Sequence, residues 1–390
     1  MVDQFWENIM KTWITKTIVV SACVLGIAGC ATPVDRMAEK PYCHTHSGRN
    51  AYCTKDPAPS IAKDDDWKTG PLPQGVNKKE IDALVKNAMG PRDNKIRVRS
   101  VLITINDKIV YERYHPLDNK DSILDTFSVS KSFVSTVVGM LVDDGRLSLD
   151  QPAPVAAWSG LNDPRSAITI RNLLHMSSGL TWKEEYTAGD SSTIAMLRAP
   201  VASDYAISLP LEVKPGTQFE YNSGNSAILM RIITDTLGGT PQAESYIKKR
   251  LLNPLGIKKV VYQRDSSGRI VGFMGINMTA RDQARFGLLY LRNGVWAKKK
   301  VISPEWVKFS STPTPTFQGY AGHWWTHNLL GTNASPGDFT ALGYYGQYVI
   351  VSRSKRMVMV INTAFEGTPS EQTVKARNLA QTLYALFPVR

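Results

Sequence analysis

Cysteine is scarce, four residues in 390, so no dense disulfide framework holds the fold and a hydrophobic core must do so. Internal repeats and low-complexity blocks are absent, which excludes solenoids and fibrous arrays. Long hydrophobic runs are missing too: the longest, Ile18 to Ile27, is too short to span a bilayer comfortably. Acidic residues are in deficit, 34 against 46 Lys and Arg, for a formal net charge of +12. Such a balance raises the question of nucleic acid. The cations are dispersed, however, in short groups such as Lys78-Lys79, Lys248-Lys249-Arg250 and Lys298-Lys299-Lys300, with no aromatic-interleaved basic stripe. Nucleic acid is therefore not an expected partner, and attraction to anionic envelope polymers or lipid headgroups accounts better for the charge.

What is present begins with a leader. Lys11 and Lys16 precede the Ile18–Ile27 run, and small residues lead to Cys30, which is the build of a secretory signal over residues 1–30. Asp3 and Glu7 are foreign to such a segment and point to Met10 as the start of translation. Ile27-Ala28-Gly29-Cys30 resembles the bacterial lipobox, implying lipid on Cys30 and a membrane-anchored protein facing the periplasm. Ala31, rather than aspartate, at the next position implies the outer membrane. Residues 31–75 are rich in Pro, Asp, Lys and Ser and read as a tether. Within it Cys43 and Cys53 are expected to close a small disulfide loop in an oxidising envelope. A metal site with His44 and His46 is the alternative, but its spacing matches no familiar zinc pattern.

The remainder, residues 76–390, has the patterning of one large domain. Alternating apolar residues on either side of Asn106-Asp107 predict a β-hairpin over Val98 to Tyr114. From Ser128 to Asp144 the apolar residues recur at helical spacing on a wide face, predicting a deeply buried helix. Helical stretches divided by Pro and Gly fill 151–255, and Thr279 to Arg292 reads as another helix. Two β-rich runs flank Arg353 to Lys355, and Ser370 to Phe387 closes the chain as a helix. Strands at both ends with helices between predict an α/β fold, in the α+β sense, with its core in 76–150 and 256–390 and a mainly helical subdomain inserted between them.

The chemistry turns on Ser-x-x-Lys, which occurs at Ser60, Ser128, Ser245 and Ser352. Ser60 lies in the tether, Ser245 precedes a charged cluster, and Ser352 lies in a turn between strands. Only Ser128 opens a buried helix. The i, i+3 spacing puts its hydroxyl and the Lys131 ammonium on one face, and the first-turn N–H groups point towards a developing oxyanion. Burial among Phe133, Val134 and Val137 disfavours the charged amine and prepares Lys131 to accept a proton. The bland alternative is an N-cap serine followed by a solvated lysine.

Further segments carry a resemblance. FSVSKSFVSTVVGMLVDDGRLSLDQPAP, LLHMSSGLTW, PGTQFEYNSGNSAIL, MTARDQARFGLLYL and GYYGQ, spread in order over residues 76 to 390, resemble the serine β-lactamase and penicillin-binding-protein superfamily, in its class C-like branch of esterases and 6-aminohexanoate-dimer hydrolases. The resemblance implies a β-lactamase/transpeptidase-like fold, an antiparallel sheet flanked by helices, and an acyl-enzyme hydrolase needing no metal or cofactor. Its substrate would be a small ester, amide or peptide-like molecule. By the same implication Ser128 is the nucleophile, Lys131 its proton acceptor and Tyr221 the relay to the leaving group, while the N–H groups of Ser128 and Gln347 form the oxyanion hole beside Gly346. His175 falls in a structural turn, and His323 and His327, beside Trp324 and Trp325, read as wall or core. Two departures stand out: Ser223 where the family's Tyr-x-Asn ends in Asn, and Tyr344 where Lys-Thr-Gly supplies a cation. A tyrosine carries no ammonium charge, so Tyr344, Tyr345, Trp182 and Trp325 suggest an aromatic substrate pocket instead. The rival readings are a D,D-peptidase or weak β-lactamase, and a non-catalytic envelope-binding lipoprotein.

Overall fold

Asn106 and Asp107 both adopt left-handed backbone, φ 49° and 67°, the geometry a two-residue hairpin turn demands and short polar side chains tolerate. They join β3 (Val98–Ile105) to β4 (Lys108–Tyr114) as the sequence predicts. The computed structural model describes residues 67–389, except 93–94, 96, 161, 187–189, 327–334 and 366, together with two short strands further upstream. Those strands, β1 (Cys43–His44) and β2 (Tyr52–Cys53), pair antiparallel with Cys43 directly opposite Cys53. The leader and Cys30 lie outside the described residues, as do Ser60 and His327.

The central sheet is antiparallel throughout and runs β4-β3-β10-β9-β8-β7. Its later strands are β7 (Trp325–Thr326), β8 (Phe339–Gly343), β9 (Gln347–Ser352) and β10 (Met357–Thr363). Chain ends therefore meet at the middle of the sheet, β3 beside β10. Strands buried on both faces, such as VMVINT, need a cover on each side. One face takes α1 (Lys78–Met89) and the C-terminal helix α5 (Pro369–Leu386), whose Ile81, Val85, Leu379 and Leu383 pack on Ile103, Ile350 and Met359. The other takes α2 (Val129–Asp143) and α4 (Ala280–Leu291), with Val137, Phe286 and Leu289 against Val349, Val351 and Val358.

The inserted helices between Ala156 and Leu255 pack on that second face around α3 (Ser223–Leu237). A small antiparallel pair, β5 (Val260–Tyr262) with β6 (Ile276–Met278), returns the chain to α4. The predicted tether extends to residue 75, but the body engages the chain earlier. Ile109 donates its N–H to Lys68 O and Gly70 its own to Ile109 O, both at 2.9 Å. Backbone pairing along β4 drives this contact, and the polar composition of 67–75 conceals it from a hydrophobicity pattern.

Candidate active site

Ser128 occupies the cap position of α2 without capping it: its side chain makes no cap hydrogen bond. Its hydroxyl oxygen instead accepts from Lys131 Nζ at 2.8 Å, and its hydroxyl is close enough to the Tyr221 phenol to favour that group's ionised form. Lys131 is 1% exposed, so the solvated-lysine alternative does not describe it. Its Nζ also donates to the Phe273 carbonyl at 3.0 Å, and the rings of Tyr221 and Phe273 flank it at 5.2 and 5.9 Å. Burial lowers the Lys131 pKa to about 8, against an opposing pull from the Glu184 carboxylate. Tyr221 moves the other way. Burial, followed by Glu184, pushes its phenol well above the ordinary tyrosine value, partly offset by the nearby Ser128 hydroxyl, so the hydroxyl is neutral at neutral pH.

The turn that presents Ser128 is clamped from behind. Thr126 receives Asn277 Oδ1 at its N–H and donates its hydroxyl to Ile276 O, while Ser130 Oγ accepts the Ile276 N–H at 2.9 Å. These bonds tie the first turn of α2 to β6. Phe127, the residue just before the nucleophile, has φ 45°, a left-handed conformation that costs a bulky side chain roughly 1–3 kcal/mol. Contacts with Tyr344, Tyr345 and Phe365 at 5.3–5.9 Å hold it there.

Glu184 has no role in the sequence reading, yet its carboxylate organises this region. Oε2 accepts from the Trp182 indole at 2.5 Å and the Ser223 N–H at 2.9 Å, and Oε1 accepts from the Ser223 and Tyr186 hydroxyls, each at 2.5 Å. Four donors fill the lone pairs a carboxylate offers. Two expectations change as a result. Ser223, expected to contact substrate, directs both its donors to Glu184. Trp182 is buried in the core against the first turn of α3, where a Cβ on Gly224 would lie 2.8 Å from its ring. Trp325, also buried, packs on the Tyr221 ring at 5.4 Å, and Tyr344 stacks on Tyr186 at 4.4 Å, so both adjoin the catalytic cluster.

Gly346, expected beside the oxyanion hole, does not face Ser128. A Cβ on it would lie 2.5 Å from the Ala376 side chain, so its bare face meets α5. Gln347 sits in the β8–β9 ladder opposite Gly343, and its buried amide bonds Thr363 and Asn362, tying β9 to β10. Gly343 is the glycine that approaches the Ser128 segment: a Cβ there would stand 2.2 Å from Thr126 O. The residue after it is Tyr344, and the residue two before it is Ala341.

Two of the histidines weighed in the sequence, His323 and His175, lie among the described residues. His323 is buried, its ring bonded to Ser226 Oγ and Leu174 O at 2.9 Å, and burial lowers its pKa to about 3. His175 stacks on Phe309 at 5.0 Å, and burial brings its pKa to about 4. Ser352 bonds Asp338 and Tyr384 in the β9–β10 turn, and Lys355 bonds the Phe387 carbonyl.

A serine, a lysine and a tyrosine thus converge at the start of a buried helix, in a body with helices on both faces of an antiparallel sheet. The sequence matches the Beta-lactamase family over residues 81–384, and the chain belongs to that family. It is similar to 6-aminohexanoate-dimer hydrolase of Paenarthrobacter ureafaciens, 27% identical over 247 residues that make up 56% of this chain and 60% of that one. The chain thus spans about three-fifths of the length of this relative. Among solved structures, a Bacillus anthracis protein described as a candidate 6-aminohexanoate-dimer hydrolase has TM-score 0.66 at 21% identity, covering 82% of this chain and 87% of its own. A class C β-lactamase mutant has TM-score 0.55 at 17% identity, covering 79% and 99%. At such identities the two structures establish the fold.

Proposed function

We propose that the chain is a serine hydrolase that cleaves small esters and amides through an acyl-enzyme on Ser128. The observation that carries this reading is the 2.8 Å contact between Ser128 Oγ and a buried Lys131 whose pKa, lowered to about 8, lets it hold a proton transiently. Ser128 Oγ attacks the carbonyl carbon as its proton passes to Lys131. Tyr221, neutral and beside the same oxygen, hands its proton to the leaving group as the bond to it breaks, and takes a proton back from Lys131. Water then attacks the acyl carbon, giving up one proton that passes through the same pair to Ser128 Oγ as the acid leaves.

Two backbone N–H groups are assigned to the oxyanion, those of Ser128 and Tyr344, the latter because Gly343 brings its strand end against Thr126. Gly343→Ala should therefore push that strand end away and lower kcat by about 10²-fold or more. Gly346→Ala, which crowds α5, should cost thermal stability first. Equal kcat losses in the two variants at equal stability would refute the assignment.

Substrate charge follows from Ala341 and Glu184. A carboxylate-bearing β-lactam finds no cation at position 341 and the half-buried Glu184 carboxylate nearby, losing a charge-assisted contact of roughly 1.5–3 kcal/mol. Neutral aryl esters lose nothing. A panel of p-nitrophenyl esters, short amides and nitrocefin should give esters the highest kcat/KM and nitrocefin a value about one to two decades lower. Nitrocefin turnover matching p-nitrophenyl acetate would refute the argument.

We further propose that the protein is a lipoprotein anchored through Cys30 on the periplasmic side of the envelope, with Cys43 and Cys53 joined. The opposed register of the two cysteines favours the bridge, since paired strands hold their Cα atoms within disulfide range. Mass spectrometry of the mature N-terminal peptides should find acylated Cys30 and a linked Cys43–Cys53 peptide. An unmodified N-terminus, or two free thiols in envelope-purified protein, would contradict each in turn.

A further inference from the structure

A second cavity, of about 680 Å³, shares no lining residue with the Ser128 site. It opens between the β3–β4 turn, the exposed side of α4 and the loop around Lys258, and its walls carry eight lysines and arginines against three aspartates. The arginines are fixed in place. Arg281 pairs with Glu112 at 2.7 Å, Arg285 with Asp282 at 2.8 Å, and Arg292 with Asp107 at 3.0 Å while stacking on Trp296 at 4.2 Å. Lys68, Lys108, Lys258 and Lys259 make no ion pair among the described residues, and the first three are exposed. Trp67 lines the cleft with its indole N–H buried and without an acceptor among the described residues. A concavity lined mainly by one sign of charge concentrates its field and attracts counter-ions, and four ammonium groups with an unused indole donor suit phosphate oxygens.

The chain's own course indicates which phosphate. Trp67 and Lys68 line one wall, and Lys68 O and Gly70 N–H pin this stretch to β4. Upstream, across the expected tether, lies Cys30, the residue placed at the membrane. Tryptophan with lysine is the pairing that settles at headgroup level. We propose that this cleft binds the phosphate headgroups of anionic phospholipids and seats the body on the membrane surface. The choice of lipid as occupant rests on the anchor reading given above.

The test is binding of the full chain to vesicles of phosphatidylcholine alone or mixed with phosphatidylglycerol, at low salt and at physiological salt. The lipid on Cys30 of the envelope-purified protein contributes in every arm. The unmutated chain should prefer phosphatidylglycerol vesicles, more strongly at low salt. The combined Lys68→Gln, Lys108→Gln, Lys258→Gln and Lys259→Gln variant should lose about tenfold or more of that preference. Its phosphatidylcholine binding and ester hydrolysis should be unchanged. A control neutralising Lys79, Lys86, Lys214 and Lys308, equal in charge and outside the cleft, should keep the preference. If the cleft variant retains the preference, or the control loses as much, the proposal is overturned. It is likewise overturned if inorganic phosphate alone changes tryptophan fluorescence of the unmutated chain while the vesicles show no lipid preference. Failure of the anchor reading appears separately, as absent binding to phosphatidylcholine.

Discussion

Ser128→Ala should lower kcat/KM for p-nitrophenyl esters by about 10³-fold or more while the protein stays folded. The serine hydroxyl caps nothing in α2, and the bond lost is the one to Lys131. Lys131 keeps the Phe273 carbonyl, so the stability cost should not exceed about 2 kcal/mol. Thermal unfolding followed by circular dichroism separates the two effects. A variant that retains ester turnover at native stability would remove Ser128 from the chemistry.

Lys131 and Tyr221 should behave as one proton-handling unit. Lys131→Ala and Tyr221→Phe should each cost about 10²–10⁴-fold in kcat, and the double variant should fall little further, because both act on the same proton at Ser128 Oγ. Additive losses would contradict the unit. The pH dependence has a definite sign. Lys131 must be neutral to accept the proton, so activity should rise with pH through a limb near 8, the value to which burial lowers it. That limb belongs to the coupled cluster as well as to one residue. Glu184 opposes the lowering by favouring the ammonium form, so Glu184→Gln should move the limb to lower pH. A limb that stayed in place, or moved upward, would show that the Glu184 carboxylate does not act on the base.

The elements that were legible in the sequence are those whose local chemistry agrees with their packing. The Asn106-Asp107 turn, the wide apolar face beginning at Phe133 and the β-branched runs of β9 and β10 each announce one structure. The Ser128 helix could be chosen from four Ser-x-x-Lys matches because burial is written in its neighbours. The strand end beside it was harder to place. GYYG offers two glycines three residues apart, and only the direction of their missing Cβ atoms, one towards Thr126 O and the other towards Ala376, says which faces the nucleophile. Glu184 was invisible for a different reason. A glutamate between Lys183 and Glu185 reads as a solvated charge, and its four donors come from Trp182 and Tyr186 beside it and Ser223 far along the chain. The early contact of Lys68 and Gly70 is backbone pairing, to which side-chain patterns are blind.

The most direct test of the acyl-enzyme is to find the adduct. Purified protein treated with a fluorophosphonate, digested and read by mass spectrometry should carry the label on Ser128. Labelling should speed up as pH rises towards 8 and be lost in Lys131→Ala. A label on Ser130 or Ser132, or no label in protein that hydrolyses esters, would contradict the account.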